Sequence, residues 1–96
     1  MNLHELDQAR TAFDRAEAAL SAHLPHEALE HVEQAIRLDP SNPTTRLLEA
    51  RIRLRLNQPQ LALTALDIHN HLAPRQHAQP GPTLLRAKAL AKEGRL

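Results

Sequence analysis

Apolar residues recur at Leu3, Leu6, Ala9, Phe13, Ala16 and Leu20. That spacing is close to the 3.6-residue period of an amphipathic helix, so a first helix is predicted from Leu3 to Ala22. Asn2 can cap it, with Glu5 three residues on as in a capping box. "AHLP" (22–25) interrupts the pattern. Pro25 suits the first turn of a second helix, where the missing N–H costs nothing. That helix carries Ala28, Leu29, Val32, Ala35 and Ile36 on one stripe and ends before Pro40. A third helix opens at Pro43 and runs to about residue 56. Within it "RIRLRL" (51–56) alternates like a strand, but the flanking length and the lack of turn residues favour helix. Pro59 opens a fourth helix to about Leu72. After the Pro-rich stretch 73–82, a fifth helix is predicted over 83–94, with Gly94 as its stop.

Composition narrows the class. Phe13 is the only aromatic residue among 96, so the core must come from Leu, Ala, Ile and Val. Thin helical layers suit such a core better than a β-sandwich, which draws on β-branched and aromatic residues. With no cysteine, disulfides, thiolate metal sites and cysteine nucleophiles are excluded. No run approaches the ~18 apolar residues of a membrane helix. The N-terminus has neither a basic start nor an apolar core of a secretory signal. A cytoplasmic, single-domain protein is the expectation. The net charge of +1 conceals an asymmetry: residues 1–43 carry three basic and eight acidic side chains, residues 44–96 nine and three. Opposed fields of this kind point to charged partners or to head-to-tail self-association.

The chain repeats itself. Aligning 9–42 with 43–76, a shift of 34, superposes Thr11/Thr45, Ala16/Ala50, Leu20/Leu54, Pro25/Pro59, Ala28/Ala62, Leu29/Leu63, Leu38/Leu72 and Pro40/Pro74. The identities fall on helix breakers and inward-facing positions. A helix–turn–helix unit of this length is the tetratricopeptide period. "HEALEHVEQAIRLDPSNP" (26–43) resembles the second helix and the Asp-Pro-x-Asn junction of the tetratricopeptide repeat family. "TLLRAKALAKEG" (83–94) aligns with "RLLEARIRLRLN" (46–57) and would open a third repeat. The resemblance implies an all-α, right-handed stack of antiparallel helix pairs, a TPR-like solenoid of five helices: repeat one 9–42, repeat two 43–76 and a C-terminal capping helix 83–94.

The departures from the family pattern are equally specific. Its aromatic packing positions fall on Ala12, Ala19, Pro25 and Val32 in repeat one, and on Arg46, Arg53, Pro59 and Leu66 in repeat two. Its turn glycines fall on His23 and Asn57. His69 stands where a small alanine packs. Leu90 and Leu96 fall on the outer face of the cap.

The family's first helices line a concave groove that holds peptides or helices of partner proteins. The resemblance maps that groove onto Arg10, Phe13, Glu17 and Leu20, then Leu47, Leu48, Arg51 and Arg55, then Leu84, Lys88 and Lys92. Arg51/Arg55 and Lys88/Lys92 are like-charge pairs four apart, which disfavour an isolated helix by a few tenths of a kcal/mol. Read functionally, they make a basic groove for an acidic segment. Read otherwise, they are a solvated face whose stems cover apolar surface. The Lys/Asn/Arg set of the family's chaperone-tail clamp is not reproduced.

Other chemistries find less support. His69 and His71 lie roughly 200° apart around a helix, and no histidine pair has the four-residue helical spacing of a zinc site. No Ser–His–acid arrangement with a supporting motif, Gly-rich phosphate loop or carboxylate pair in an apolar setting is present. Tyr and Trp are absent, which argues against base stacking, and no DNA-binding motif is recognisable. The expectation is therefore a non-catalytic, cofactor-free interaction module with no metal: an adaptor, co-chaperone or assembly factor that takes an acidic peptide or helix. The alternative is a self-assembling structural protein using its opposite charges or its C-terminal helix face. Nucleic acid and membrane are not expected partners.

Overall fold

The computed structural model describes residues 2–73 and 88–92. Four helices follow in order: α1 (Leu3–Ser21), α2 (Pro25–Leu38), α3 (Pro43–Arg55) and α4 (Pro59–Leu72). Residues 88–92 are helical as well, while the remainder of the expected fifth helix, with Leu84, Gly94 and Leu96, lies outside the described residues. The chain is an all-α stack of helices packed in adjacent pairs: α1 on α2, α3 on α4, and α2 against α3. Among the described residues there is no strand.

The helix starts follow from local chemistry. Asn2 Oδ1 accepts the Glu5 amide at 2.8 Å, and Asn42 Oδ1 accepts the Thr44 amide at 3.0 Å. Each satisfies an amide that has no partner within the first turn. Helices α2 and α4 open instead on Pro25 and Pro59 with no side-chain cap.

The 34-residue period is present in the backbone as well as the sequence. His23 donates to the Leu20 carbonyl at 3.1 Å and Leu24 to the Ala19 carbonyl at 2.9 Å. Asn57 donates to Leu54 at 3.1 Å and Gln58 to Arg53 at 2.8 Å. Both patterns are Schellman closures, 5→2 and 6→1, which satisfy carbonyls at the helix end. Each places a non-glycine residue in the left-handed region, His23 at φ 62° and Asn57 at φ 59°. The next residues match closely, Leu24 at φ −117°, ψ 69° and Gln58 at φ −118°, ψ 68°.

Two small cores lie on either side of α3. One joins Ala16, Ala19, Leu20, Ala28, Val32, Leu48 and Ile52, and the other joins Ala50, Leu54, Ala62, Leu63, Ala65, Leu66 and Ala89. At about 100° per residue, Leu48 and Ile52 face one way on α3, while Leu47, Ala50 and Leu54 face nearly the opposite way. A helix held between two layers carries apolar residues on two faces, and this is the origin of the strand-like "RIRLRL" alternation. Leu90, expected on the outer face of the cap, is half-buried and packs on the second core.

The remaining two faces of α3 are charged. Arg51 and Arg55 point to solvent. On the other side Arg46, Glu49 and Arg53 form a network, with Arg46 Nη1 3.1 Å from Glu49 Oε1 and Arg53 Nη2 3.5 Å from Glu49 Oε2. Arg53 also reaches Glu33 on α2 at 3.8 Å and donates to Gln58 Oε1 at 2.9 Å. Arg46 and Arg53, at positions where the sequence resemblance implies aromatic rings, thus form ion pairs instead. Arg46 Nε and Arg53 Nε are buried with no hydrogen-bond partner among the described residues.

His69 is 3% exposed, and its Nδ1–H donates to the Pro43 carbonyl at 2.9 Å. The imidazole fills the place that Ala35 occupies one repeat earlier and ties the end of α4 to the start of α3.

A candidate cationic groove

Positive side chains converge where α1 and α3 end. Arg51 and Arg55 stand one turn apart on the exposed face of α3, and Lys88 and Lys92 do the same on the 88–92 segment. Together with Leu20, Leu54 and Ala91 they line a hollow of about 600 Å³. Among the described residues, four cations and no carboxylate border it. A smaller recess of about 90 Å³ adjoins it, formed by Glu17, Leu20, Ser21, Leu48, Arg51 and Arg55. The floor is therefore apolar and the rim cationic.

Local structure positions these groups. Lys92 Nζ donates to the Leu54 carbonyl at 3.3 Å. That contact sets a cation against the carbonyl end of α3, where the helix dipole favours positive charge. It also holds the 88–92 segment beside α3, with Ala89 fully buried against the second core. Like charges are gathered here at a small cost in helix stability, so a ligand that neutralises them gains by relieving their repulsion.

The structure divides the sequence-predicted groove. Glu17, Leu48, Arg51, Arg55, Lys88 and Lys92 do come together around the paired hollows. Arg10 and Phe13 do not. They line a separate hollow of about 590 Å³ toward the start of α1, with Leu3, Leu6, Asp7, Asp14, Asp39 and Thr45 among its walls. Leu47 is half-buried against the second core, and Leu48, 2% exposed, is a core residue that only touches the floor of the recess. Leu84 lies outside the described residues. Leu54 and Ala91 also line the hollow, beyond the residues that the sequence predicts for the groove. The repeat carried a signal for one of them, because Leu54 stands 34 residues after Leu20, which lines the hollow from α1.

Other chemistry is sparse. Among the described residues no group of three or more His, Asp and Glu side chains could hold a metal ion, and no helix is long and apolar enough to cross a membrane. No family model matches the chain, and no curated protein matches it.

Proposed function

We propose that the chain is a non-catalytic protein–protein interaction module of tetratricopeptide type, acting in the cytoplasm as an adaptor, co-chaperone or assembly factor. Its ligand is an acidic amphipathic peptide or helix that seats apolar side chains on Leu20, Leu54 and Ala91 while its carboxylates meet Arg51, Arg55, Lys88 and Lys92. The observation that carries this reading is the hollow itself: an apolar floor under four cations, with no carboxylate among the described residues of its rim. The 34-residue recurrence of helix closures supports the tetratricopeptide assignment. Arginine forks can clasp carboxylates in a bidentate manner, and a cationic rim speeds encounter with an acidic partner.

The test is titration of the protein into a fluorescein-labelled acidic amphipathic peptide, read by anisotropy at low and high salt. Binding is expected at low salt, weakening as salt rises. The Arg51→Glu/Lys88→Glu variant should lower affinity by at least about tenfold, equivalent to ~1.4 kcal/mol. Affinity indifferent to both salt and charge reversal would remove the cationic groove from consideration.

A further inference from the structure

The exposed seam of α1 has a charge pattern that is its own complement. Leu3, Leu6, Arg10, Phe13, Glu17 and Leu20 recur at alternating steps of three and four, the spacing of a two-helix seam. They lie about 110° round the helix from the alanine stripe Ala9, Ala12, Ala16 and Ala19 that packs inward. Most of the seam has no cover within the described chain. Leu3 is 79% exposed and Leu6 42%, Arg10 and Glu17 are exposed, Phe13 is half-buried, and only Leu20 is buried.

The two ends of this seam differ. At the start of α1, Leu3 and Leu6 stand in a hollow whose walls carry three carboxylates, Asp7, Asp14 and Asp39, against one cation, Arg10. At its end lie Leu20 and the cationic hollow of Arg51, Arg55, Lys88 and Lys92. The first turns of α1 are thus an acidic segment with two exposed leucines, the kind of ligand proposed for the basic hollow.

We infer that a second copy of this chain occupies the groove, in an isologous dimer whose α1 helices run antiparallel. This rests on the reading of the basic hollow as a site for an acidic amphipathic segment, and it names that segment. Placing the two-fold between Phe13 and Asp14 sets Arg10 of one protomer across from Glu17 of the partner subunit, and the symmetry repeats the pair. Leu6 then lies over Ser21 of the partner subunit, at the edge of the partner's hollow. Asp7 falls level with Leu20 of the partner subunit and approaches the cations of that hollow, and the pairing recurs at the other end. Parallel alignment would instead set Arg10 against Arg10 and the acidic end against itself. Within one chain Arg10 and Glu17 are seven residues apart, a rise of about 10.5 Å, too far to pair with each other.

Solution mass by multi-angle light scattering tests this, with refractive-index detection because the chain has no Trp or Tyr. A mass of two chains is expected at tens of micromolar protein and low salt, falling toward one chain as salt rises. Leu3→Ala/Leu6→Ala should raise the dimer dissociation constant about tenfold or more, since two exposed leucines lose their burial. Arg10→Glu and Glu17→Arg should each weaken the dimer several-fold, and the double variant should recover most of the loss. Circular dichroism checks that every variant remains helical. A monomer at all concentrations, a dimer untouched by Leu3→Ala/Leu6→Ala, or no recovery in the double variant would overturn the inference. The labelled acidic peptide separates the two readings. A monomeric wild type that still binds it loses only the dimer, whereas one that binds nothing loses the groove as well.

Discussion

His23 and Asn57, 34 positions apart, share one left-handed backbone conformation, φ 62° and 59°. Each closes the first helix of a pair and turns the chain into the second. A side chain in this region brings Cβ against the following carbonyl oxygen, a strain of about 1–2 kcal/mol for most residues and less for Asn. Glycine removes that clash, at some cost in unfolded-state entropy. His23→Gly is expected to stabilise the fold by about 0.5–1 kcal/mol, Asn57→Gly by less, and His23→Val to destabilise it. Thermal melts followed at 222 nm check the order. Equal effects at the two sites would contradict this account.

Glu49 is the centre of charge on the inner side of α3. Its side chain is 11% exposed and holds Arg46 and Arg53, which are 21% and 14% exposed. Removing the carboxylate leaves two largely buried cations facing each other. Glu49→Gln should cost roughly 1–3 kcal/mol, below the figure for a fully buried pair because both guanidiniums keep some solvent. Glu33, 46% exposed and 3.8 Å from Arg53, is the contrast. Glu33→Gln should change stability by no more than about 0.5 kcal/mol. Urea denaturation of the two variants side by side distinguishes a core network from surface decoration.

The imidazole of His69 links α4 to α3 through the Pro43 carbonyl at 2.9 Å. Truncation removes the hydrogen bond and leaves a void where the ring packed. His69→Ala should destabilise by about 1–3 kcal/mol even though alanine stands at the equivalent position, Ala35, of the preceding pair. A neutral result would show that the second pair can close to the geometry of the first.

Ala28 and Ala62 are fully buried at equivalent positions, 34 apart, of the two helix pairs. Enlarging either should push the helices apart. Ala28→Leu and Ala62→Leu are expected to cost about 1–3 kcal/mol or more. Ala18→Leu, on the exposed side of α1, should be close to neutral. Hydrogen exchange should show loss of protection in the affected pair first, because each pair contacts only its neighbours.

Much of this molecule was legible from residue types alone. Pro25, Pro43 and Pro59 open three helices where expected, and Asn2 caps a fourth. The observed helix ends lie within about one residue of the predicted ones. These signals are local: a missing N–H, a side-chain oxygen that reaches an amide, or a 3.6-residue stripe acts within one turn of its own position. The 34-residue recurrence was also visible, because the same local problem is solved twice. What the linear order could not show was how the faces of α3 are shared out. Arg51, Arg53 and Arg55 look alike along the chain. Packing between two cores sends Arg53 into the Glu49 network and leaves Arg51 and Arg55 on the groove. The same packing draws Leu47 and Leu48 inward and places Arg10 and Phe13 at a second hollow. Sequence by itself determined where the helices start and stop. Tertiary structure decided which face of each helix remained for a partner, because burial depends on neighbours distant in the chain.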